Sequence, residues 1–522
     1  MTTQINLSIV IFLPLAAALL TLAVPPRFAR WLVLAGTLLV LGYTVKMIVD
    51  FVPGIEGLQY LTNKEWIPEL GIRYKLGVDG LSVFLIAMTA LLWFVATLAA
   101  AFGSWERPRL FFFHLALGET AVLGSFCAQD LALFVLFFDL MLVPFYFLIG
   151  MWGRGGGRVQ ATTKFVIYTL VGSLLMLAGT VALGVLSVPE GGDLTFSLRE
   201  LEERDVLAPG TQAWIFLLFA AAFLVKAPAF PLHGWLPDAY RAAPIPVVLL
   251  LSAVLSKVGV YAFLRIVMPI LPDATVQFQP LLLAIAVFSI LYGSALAFSQ
   301  DDVRLIVGYS SIAQLGFITL GIFVFDAKGA QGAVMQMINH GLVTAALFLI
   351  IGALAVRAQG SESLERMGGI AFRAPVFAAL FLIVGLATLA MPGTPNFVGE
   401  LLILFGAFDK QLVFGLVASV GVALAAVYMI RLFQRSMHNP VRRTVVSRDL
   451  SGAELAPLAP LVLVIIALGV YPQPLLERSE RSTVSRVERL QERGRDAAPL
   501  VRAVPAVPAV PGAGAALAAE GP

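Results

Sequence analysis

Six ionisable residues sit inside long apolar runs: Glu119, Asp139, Lys226, Lys257, His340 and Glu400. Lys226 closes a run that begins at Trp214. Pro228 and Pro231 follow it in Phe-Leu-Val-Lys-Ala-Pro-Ala-Phe-Pro-Leu-His-Gly-Trp-Leu-Pro-Asp, residues 223–238. Proline removes a backbone donor and breaks a helix. Broken backbone at membrane depth survives only where protein buries it or water fills a cavity. A charge there must be paired or hydrated. The stretch predicts a broken transmembrane helix with a cation beside a hydrated path. Residues 389–400, Leu-Ala-Met-Pro-Gly-Thr-Pro-Asn-Phe-Val-Gly-Glu, repeat the design with a carboxylate, Glu400.

Each of these groups alone has a plainer reading. A lysine can snorkel to the interface. A histidine can bond neighbouring backbone, and a carboxylate can simply hold two helices together. For His340 taken alone the plainer reading is the stronger. Together, Asp139, Lys226, Lys257 and Glu400 exceed what helix packing needs, and intramembrane ionisable residues mark ion pathways or proton relays. Glu119 and Asp139 each lie about nine residues into adjacent antiparallel spans, so the helical rise puts both near midplane. A buried lysine holds its proton more firmly beside a carboxylate than without one. A line of such groups, bridged by water, passes protons stepwise. Lys164 and Arg265 lie near span ends and read as interfacial; Lys46 and Arg431 are ambiguous.

Composition sets the frame for this chemistry. The 522 residues are 59% hydrophobic and 13% charged, with a mean hydropathy of +0.91. A soluble domain carries about 25% charged residues, so this is a polytopic membrane protein in contact with lipid. The net charge of +3 comes with no block basic enough for nucleic acid. A single cysteine, Cys127, excludes a disulfide framework and any cysteine-ligated iron–sulfur cluster. His114, His233, His340 and His438 are scattered, which argues against bis-histidine haem. The chain is therefore expected to carry no redox cofactor and no metal. The first apolar run, Ile5 to Val24, has no positive n-region and no small-residue cleavage site, and reads as a retained span.

The elements that must position the charges follow from length. Apolar stretches occupy 5–24, 31–51, 81–102, 110–128, 131–152, 163–187, 212–227, 245–267, 278–298, 304–325, 332–356, 374–407 with a break, 411–433 and 455–472. The twenty-residue rule makes these about fourteen transmembrane helices in an all-α protein. An even count puts both termini on one side. Arginines crowd the loops after odd-numbered spans, including Arg27, Arg30, Arg107, Arg109, Arg154, Arg158 and Arg241. The positive-inside rule then places both termini on the non-cytoplasmic side. Three leading spans occupy 1–109. Spans four to eight (110–267) and nine to thirteen (268–434) each break in their fourth member. Five-span units have odd parity, so consecutive copies insert inverted, as in secondary transporters. The last span falls in 435–476. Residues 477–522 read as a polar, then Pro/Ala-rich tail without fixed structure.

At these residues the chain resembles the antiporter-like subunits of respiratory complex I. The stretch 226–239 is similar to their signature. Gly77-Val-Asp-Gly-Leu-Ser82, Asp130 to Trp152, Tyr309-Ser-Ser-Ile312 and Asn396-Phe-Val-Gly-Glu400 fit as well. The likeness covers nearly all of residues 1–475. Glu400, where relatives usually have lysine, is similar to the M-type branch, and nothing after span fourteen reads as the long lateral helix of the L type. The resemblance implies roles: Lys226 paired with the span-five carboxylate, Lys257 as central lysine, Glu400 as terminal group, Glu119 as the span-four glutamate and His340 as a connecting histidine. It implies proton translocation in a bacterial inner membrane, coupled to quinone reduction elsewhere. The implied partners are L-type and N-type chains and a small K-type subunit; FMN, iron–sulfur clusters and quinone would belong to partner subunits. Two positions depart from the pattern: Asp139 stands for glutamate, and Gln314 for a histidine. Three rival readings remain: a subunit of a multi-subunit cation/proton antiporter, a subunit of a ferredoxin-dependent relative, and a structural subunit that has lost conduction.

Overall fold

A computed structural model describes residues 5–55, 57–440, 445–446 and 448–502. Among them, twelve helices are long and apolar enough to cross a membrane. Two shorter apolar helices, Leu7–Ala23 and Pro375–Thr388, stand where the first and twelfth spans were expected. Span eight (Ile245–Ile270) is buried along its whole length, and span ten (Val303–Phe323) and span eleven (Ala327–Arg357) nearly so. They form the centre. Span two (Pro26–Asp50), span thirteen (Leu412–His438) and span fourteen (Gly452–Val470) are largely uncovered at the periphery. Apolar side chains face outward there, as hydrocarbon permits.

Both expected breaks are present, and neighbouring groups answer the backbone they free. Span seven runs as Pro209–Lys226, loses its helix, and a short helix, Leu236–Ala242, follows. Trp235 Nε1 donates to the Val225 carbonyl at 2.9 Å, and Ser289 Oγ accepts from Phe230 N at 3.0 Å. Span twelve stops at Thr388 and resumes as Pro395–Lys410. There Asn339 Nδ2, from span eleven, donates to the Pro395 carbonyl at 2.7 Å. Proline sets each break; the donors and acceptors that close it come from other helices.

Two joints share one hydrogen-bond pattern. At the start of span five (Leu131–Trp152), Leu131 N donates to Phe196 O at 2.7 Å and Leu198 N to Gln129 O at 3.1 Å. At the start of span ten, Val303 N donates to Glu362 O at 2.9 Å and Leu364 N to Asp301 O at 2.8 Å. Asp130 and Asp302 cap the two spans, accepting from Leu133 N and Arg304 N.

Two sequence expectations need correction, though the all-α class is borne out; within it Gln59–Ile67 pairs antiparallel with Ile72–Val78. This hairpin is anchored by Lys75 Nζ on Ser197 Oγ at 2.7 Å. The tail is not structureless from residue 477, and a further helix does follow the last span. Gln473–Arg502 is helical, and residues 503–522 lie outside the described ones. The segment is polar enough to read as solvated, yet Leu475, Val487 and Leu490 line up to be buried. Its arginines reach the turn before span three and the short helix Leu198–Arg204 with its C-cap: Arg486 to Asp79, Arg489 to Glu202 and Arg493 to Asp205. Finally, Arg265 is not interfacial. It is buried, bonded to Asp79 at 2.5 Å and to the Tyr261 hydroxyl at 2.9 Å.

Asp79, just before span three (Val83–Ala101), is the anion this corner is built on. Burial pushes its carboxyl up, but Arg265 and Arg486 overcome that and bring it down from 3.8 to about 2. A carboxyl depressed in the folded state stabilises it above the ordinary value, and the effect is lost as pH falls through the folded value. The difference is worth about 2 kcal/mol. Protection of backbone amides in 479–490 against hydrogen exchange should therefore hold at neutral pH and fall as pH drops from about 4 to about 2. Asp79→Asn at pH 7 should speed their exchange about 30-fold; unchanged protection would show that the helix is held by its apolar face alone.

Candidate functional site

Span seven delivers Lys226 at its broken end. Its Nζ is buried, 3.5 Å from the Phe138 carbonyl and 4.3 Å above the Phe138 ring. Phe138 precedes Asp139 on span five, so the two expected partners meet at the same place. No direct ion pair closes between them among the described residues. Asp139 is half-buried, with Ser173 and Lys226 as its polar neighbours, and its Oδ1 is buried without a hydrogen bond. Aspartate is one methylene shorter than glutamate; the ammonium rests on a π face and a carbonyl instead. The helix of span five is interrupted at Met141, dividing it into Leu131–Leu140 and Leu142–Trp152.

Span eight holds Lys257 at full burial. The turn before it, Leu251–Leu255, is π-helical. Lys257 Nζ donates to the Ser252 carbonyl at 2.7 Å and approaches Ser256 Oγ at 3.4 Å. Such wide turns recur at functional positions in helices, and here the lysine bonds a carbonyl of its own helix. Ser252 Oγ also lies 3.2 Å from Ser311 Oγ, joining span eight to span ten. Gly259 lets span eight press against the break in span seven: a Cβ there would lie 2.6 Å from Phe223 O and 3.0 Å from Ala227 N.

His340, on span eleven, is buried and faces Lys257. Its Nδ1 has no partner among the described residues. Glu400, one turn beyond the second break, is held by amides. Gln314 Nε2 donates to its Oε1 at 2.8 Å and Gln336 Nε2 at 3.3 Å. Glu119 is also fully buried, yet both of its carboxyl oxygens lack hydrogen bonds. Among the described residues, no hydrogen bond links it to the other groups.

The structure thus gathers Asp139 with Lys226, Lys257 with His340, and Glu400 with Gln314. It leaves Glu119 apart on span four. Sequence reasoning missed Ser173, Ser252, Ser311, Asn339 and Gln336. The first three look unremarkable among small residues in apolar helices. Gln336 had a readable signal: it lies four residues before His340, on the same helix face. The array offers carboxyl, ammonium and imidazole groups separated by hydroxyls and amides, which suits proton transfer through intervening water. Among the described residues, no group of three or more His, Cys, Asp and Glu side chains could hold a metal ion.

The same arrangement of spans is found in known proteins. Residues 128–425 match the family described as NADH:quinone oxidoreductase/Mrp antiporter, transmembrane. The chain is 37% identical over 509 residues to NADH-quinone oxidoreductase subunit M of Mycobacterium tuberculosis, covering 90% of this chain and 92% of that one. It is 38% identical over 437 residues to subunit M of Escherichia coli K12, covering 82% and 85%. Its fold is similar to a chain of respiratory complex I from Thermus thermophilus with bound NADH, with a TM-score of 0.84, 32% identity and coverage of 93% and 99%. A chain of the Mrp complex from Dietzia sp. DQ12-45-1b shares the fold at a TM-score of 0.81 and 24% identity, covering 94% and 99%. With its buried charges on broken and π-turned spans, this chain belongs to the NADH:quinone oxidoreductase/Mrp antiporter transmembrane family.

Proposed function

We propose that this chain is the M-type, proton-translocating membrane subunit of a bacterial NADH–quinone oxidoreductase. The observation that carries this reading is the set of buried or half-buried ionisable groups on spans five, seven, eight, eleven and twelve, two of them beside helix breaks. Relatives at 33–38% identity over most of the chain are named subunit M of that enzyme, whereas the Mrp likeness shows fold alone. Electron transfer belongs to flavin, iron–sulfur and quinone sites on partner subunits. This chain works beside the L-type, N-type and K-type membrane subunits. Both termini lie on the non-cytoplasmic face of the inner membrane, as the arginine bias requires.

Protons then pass along Asp139, Lys226, Lys257, His340 and Glu400. When the Asp139 carboxylate approaches Lys226, it stabilises the ammonium; when they separate, the lysine gives its proton up toward Lys257. In the observed arrangement Lys226 rests on Phe138 rather than on a closed ion pair, which is the open state of that switch. Glu119, outside the bonded groups, serves as a lateral proton-accepting carboxyl at the span-four side. The two matched joints at Asp130 and Asp302 support the division into two five-span units. Five spans separate them, so they fall at opposite ends of the bundle.

Proton uptake into vesicles reconstituted with the whole complex tests the relay. Lys226→Ala should reduce pumping and, through tight coupling, quinone reduction, with cofactor content unchanged. Asp139→Asn should act in the same direction more mildly, since it keeps shape and loses charge. Asp139→Glu should retain activity, because the longer side chain closes on Lys226. Normal pumping in Lys226→Ala would refute the relay.

Geometry generates a second expectation. Gly259→Ala places a methyl against the backbone of the span-seven break and must push Lys226 and Lys257 apart. Misplacement of about 1 Å can cost up to about 100-fold in rate, so pumping should fall by at least about tenfold. Gly42→Ala, which meets nothing within 4 Å, is the control and should pump normally. Equal rates in the two variants would show that the contact between spans seven and eight does not matter.

A further inference from the structure

Glu400 sits in a closed set of three side chains from three helices. Gln314 comes from span ten, Gln336 from span eleven and Glu400 from the second half of span twelve, and all are buried. Glu400 Oε1 accepts from both amides, at 2.8 and 3.3 Å. Gln336 Nε2 also donates to Gln314 Oε1 at 2.7 Å. Gln336 Oε1 is buried with no donor among the described residues, and Glu400 Oε2 takes no bond from either amide. Tyr428, from span thirteen, is the other ionisable side chain facing Glu400. His340 lies one turn along span eleven. The one acid of span fourteen, Glu454, is held at 2.8 Å by Arg357.

At Oε1 this arrangement suits the carboxylate, which accepts hydrogen bonds, since both N–H groups face that oxygen. A neutral carboxylic acid must donate its O–H, and a proton on Oε1 would point at N–H groups. The Gln336 carbonyl, an idle acceptor among the described residues, is turned away. An amide has nearly the same shape with its oxygen and nitrogen exchanged. Turning both amides by half a rotation reverses every bond in the set. The Gln314 carbonyl then accepts from the Glu400 O–H, and Gln314 Nε2 donates to the Gln336 carbonyl, which is no longer idle.

We propose that Gln314 and Gln336 are positioning residues that form a paired amide rotor, presenting N–H groups to the Glu400 carboxylate and carbonyls to its protonated form. The inference rests on the relay reading above, in which Glu400 gains and loses a proton. On arrival the proton forms an O–H bond at the carboxylate, the charge there is neutralised, and both amides turn. On departure the O–H bond breaks, and they turn back. Neither amide carries the proton. Gln314 thereby does without titration what a polar partner must do at this position: it satisfies Glu400 in both states. Gly399 leaves the space for rotation, since a Cβ there would lie 2.5 Å from Gln336 Oε1. The rotor also ties Glu400 to span eleven, one turn from His340.

Infrared difference spectra of the purified whole complex between acid and alkaline states test this. The complex is prepared with glutamine carrying heavy nitrogen in its side-chain amide. The wild type should show an isotope-sensitive amide band pair that appears together with the Glu400 carboxyl band. Glu400→Gln should lose both. Gln336→Met should lose the amide pair, change the frequency of the Glu400 carboxyl band and lower the protons pumped per electron. Gly399→Ala keeps both glutamines but pushes the Gln336 amide out of the set, so it should lose the amide pair too, which carries the test if Gln336→Met does not assemble. An amide pair absent from the wild type, or persisting in Gln336→Met or Gly399→Ala, overturns the rotor. Normal pumping in Glu400→Gln overturns the relay itself. Lost pumping in Glu400→Gln with no amide response overturns the rotor alone.

Discussion

Inside the spans, every backbone polar group exposed to hydrocarbon must find its partner within the protein. An unpartnered backbone group in hydrocarbon costs several kcal/mol, in the range of about 2–7. That constraint governs both broken helices. Proline opens the backbone at 228 and 231, and again at 392 and 395. The break persists because distant residues answer the freed groups: Trp235 for Val225, Ser289 for Phe230 and Asn339 for Pro395. These partners also fix where Lys226 and Glu400 stand relative to spans nine and eleven. The functional geometry is thus a consequence of repairing the helices, and the repairs tie each break to the buried centre.

The same constraint separates two kinds of charge. At the ends of the bundle, arginines close direct ion pairs. Arg304 meets Glu362 at 2.6 Å and also donates to the carbonyls of Tyr240 and Ala243. Arg357 meets Glu454, and Arg265 meets Asp79. Removing one partner of such a buried pair costs about 3–5 kcal/mol, so these charges are fixed and hold loops to spans. Toward the middle, neither lysine has a closed carboxylate partner. Lys226 rests on a ring and a carbonyl, and Lys257 on a carbonyl of its own helix. Neutral acceptors bind an ammonium without the full attraction of a carboxylate. A proton on either lysine is therefore easier to move than one locked in an ion pair. The same residue types occur in both places, divided by whether the pair is closed.

How much of this could be read in the chain depends on the range of the interaction involved. Length and hydropathy make the spans legible, because a bilayer imposes one length on all of them. The breaks are legible because proline acts locally. Asp139, Lys226, Lys257, His340 and Glu400 stand out because charge is rare in apolar runs. What the sequence hid is relational. The π turn that turns Ser252 into the Lys257 acceptor has no residue signature. Gln336 carries a local signal, four residues before His340, but its partners Gln314 and Glu400 emerge only where spans ten, eleven and twelve meet. Arg265 looked interfacial because it lies near a span end, and nothing local reveals that Arg486 and Asp79 bury it. The helix Gln473–Arg502 was misread because its polar composition outweighs its few apolar positions, Leu475, Val487 and Leu490 among them.

The joints at Asp130 and Asp302 carry the comparison between the halves further than sequence similarity does. Each takes the N-terminus of a span, caps it with an aspartate, and staples it by two backbone bonds to the residues flanking a serine, Ser197 or Ser363. Stapled loops of this kind restrain the span that follows them: one leads toward span seven, the other toward span twelve. Those are the two spans that break. A broken helix lacks the internal bonds that keep an intact one straight, so its segments need anchoring at the ends. The repeated staple supplies that anchor in both halves. The residues at the two breaks differ: a lysine over Phe138 at one, a carboxylate held by two amides at the other. The joint that precedes each is alike, and both breaks pose the same physical problem.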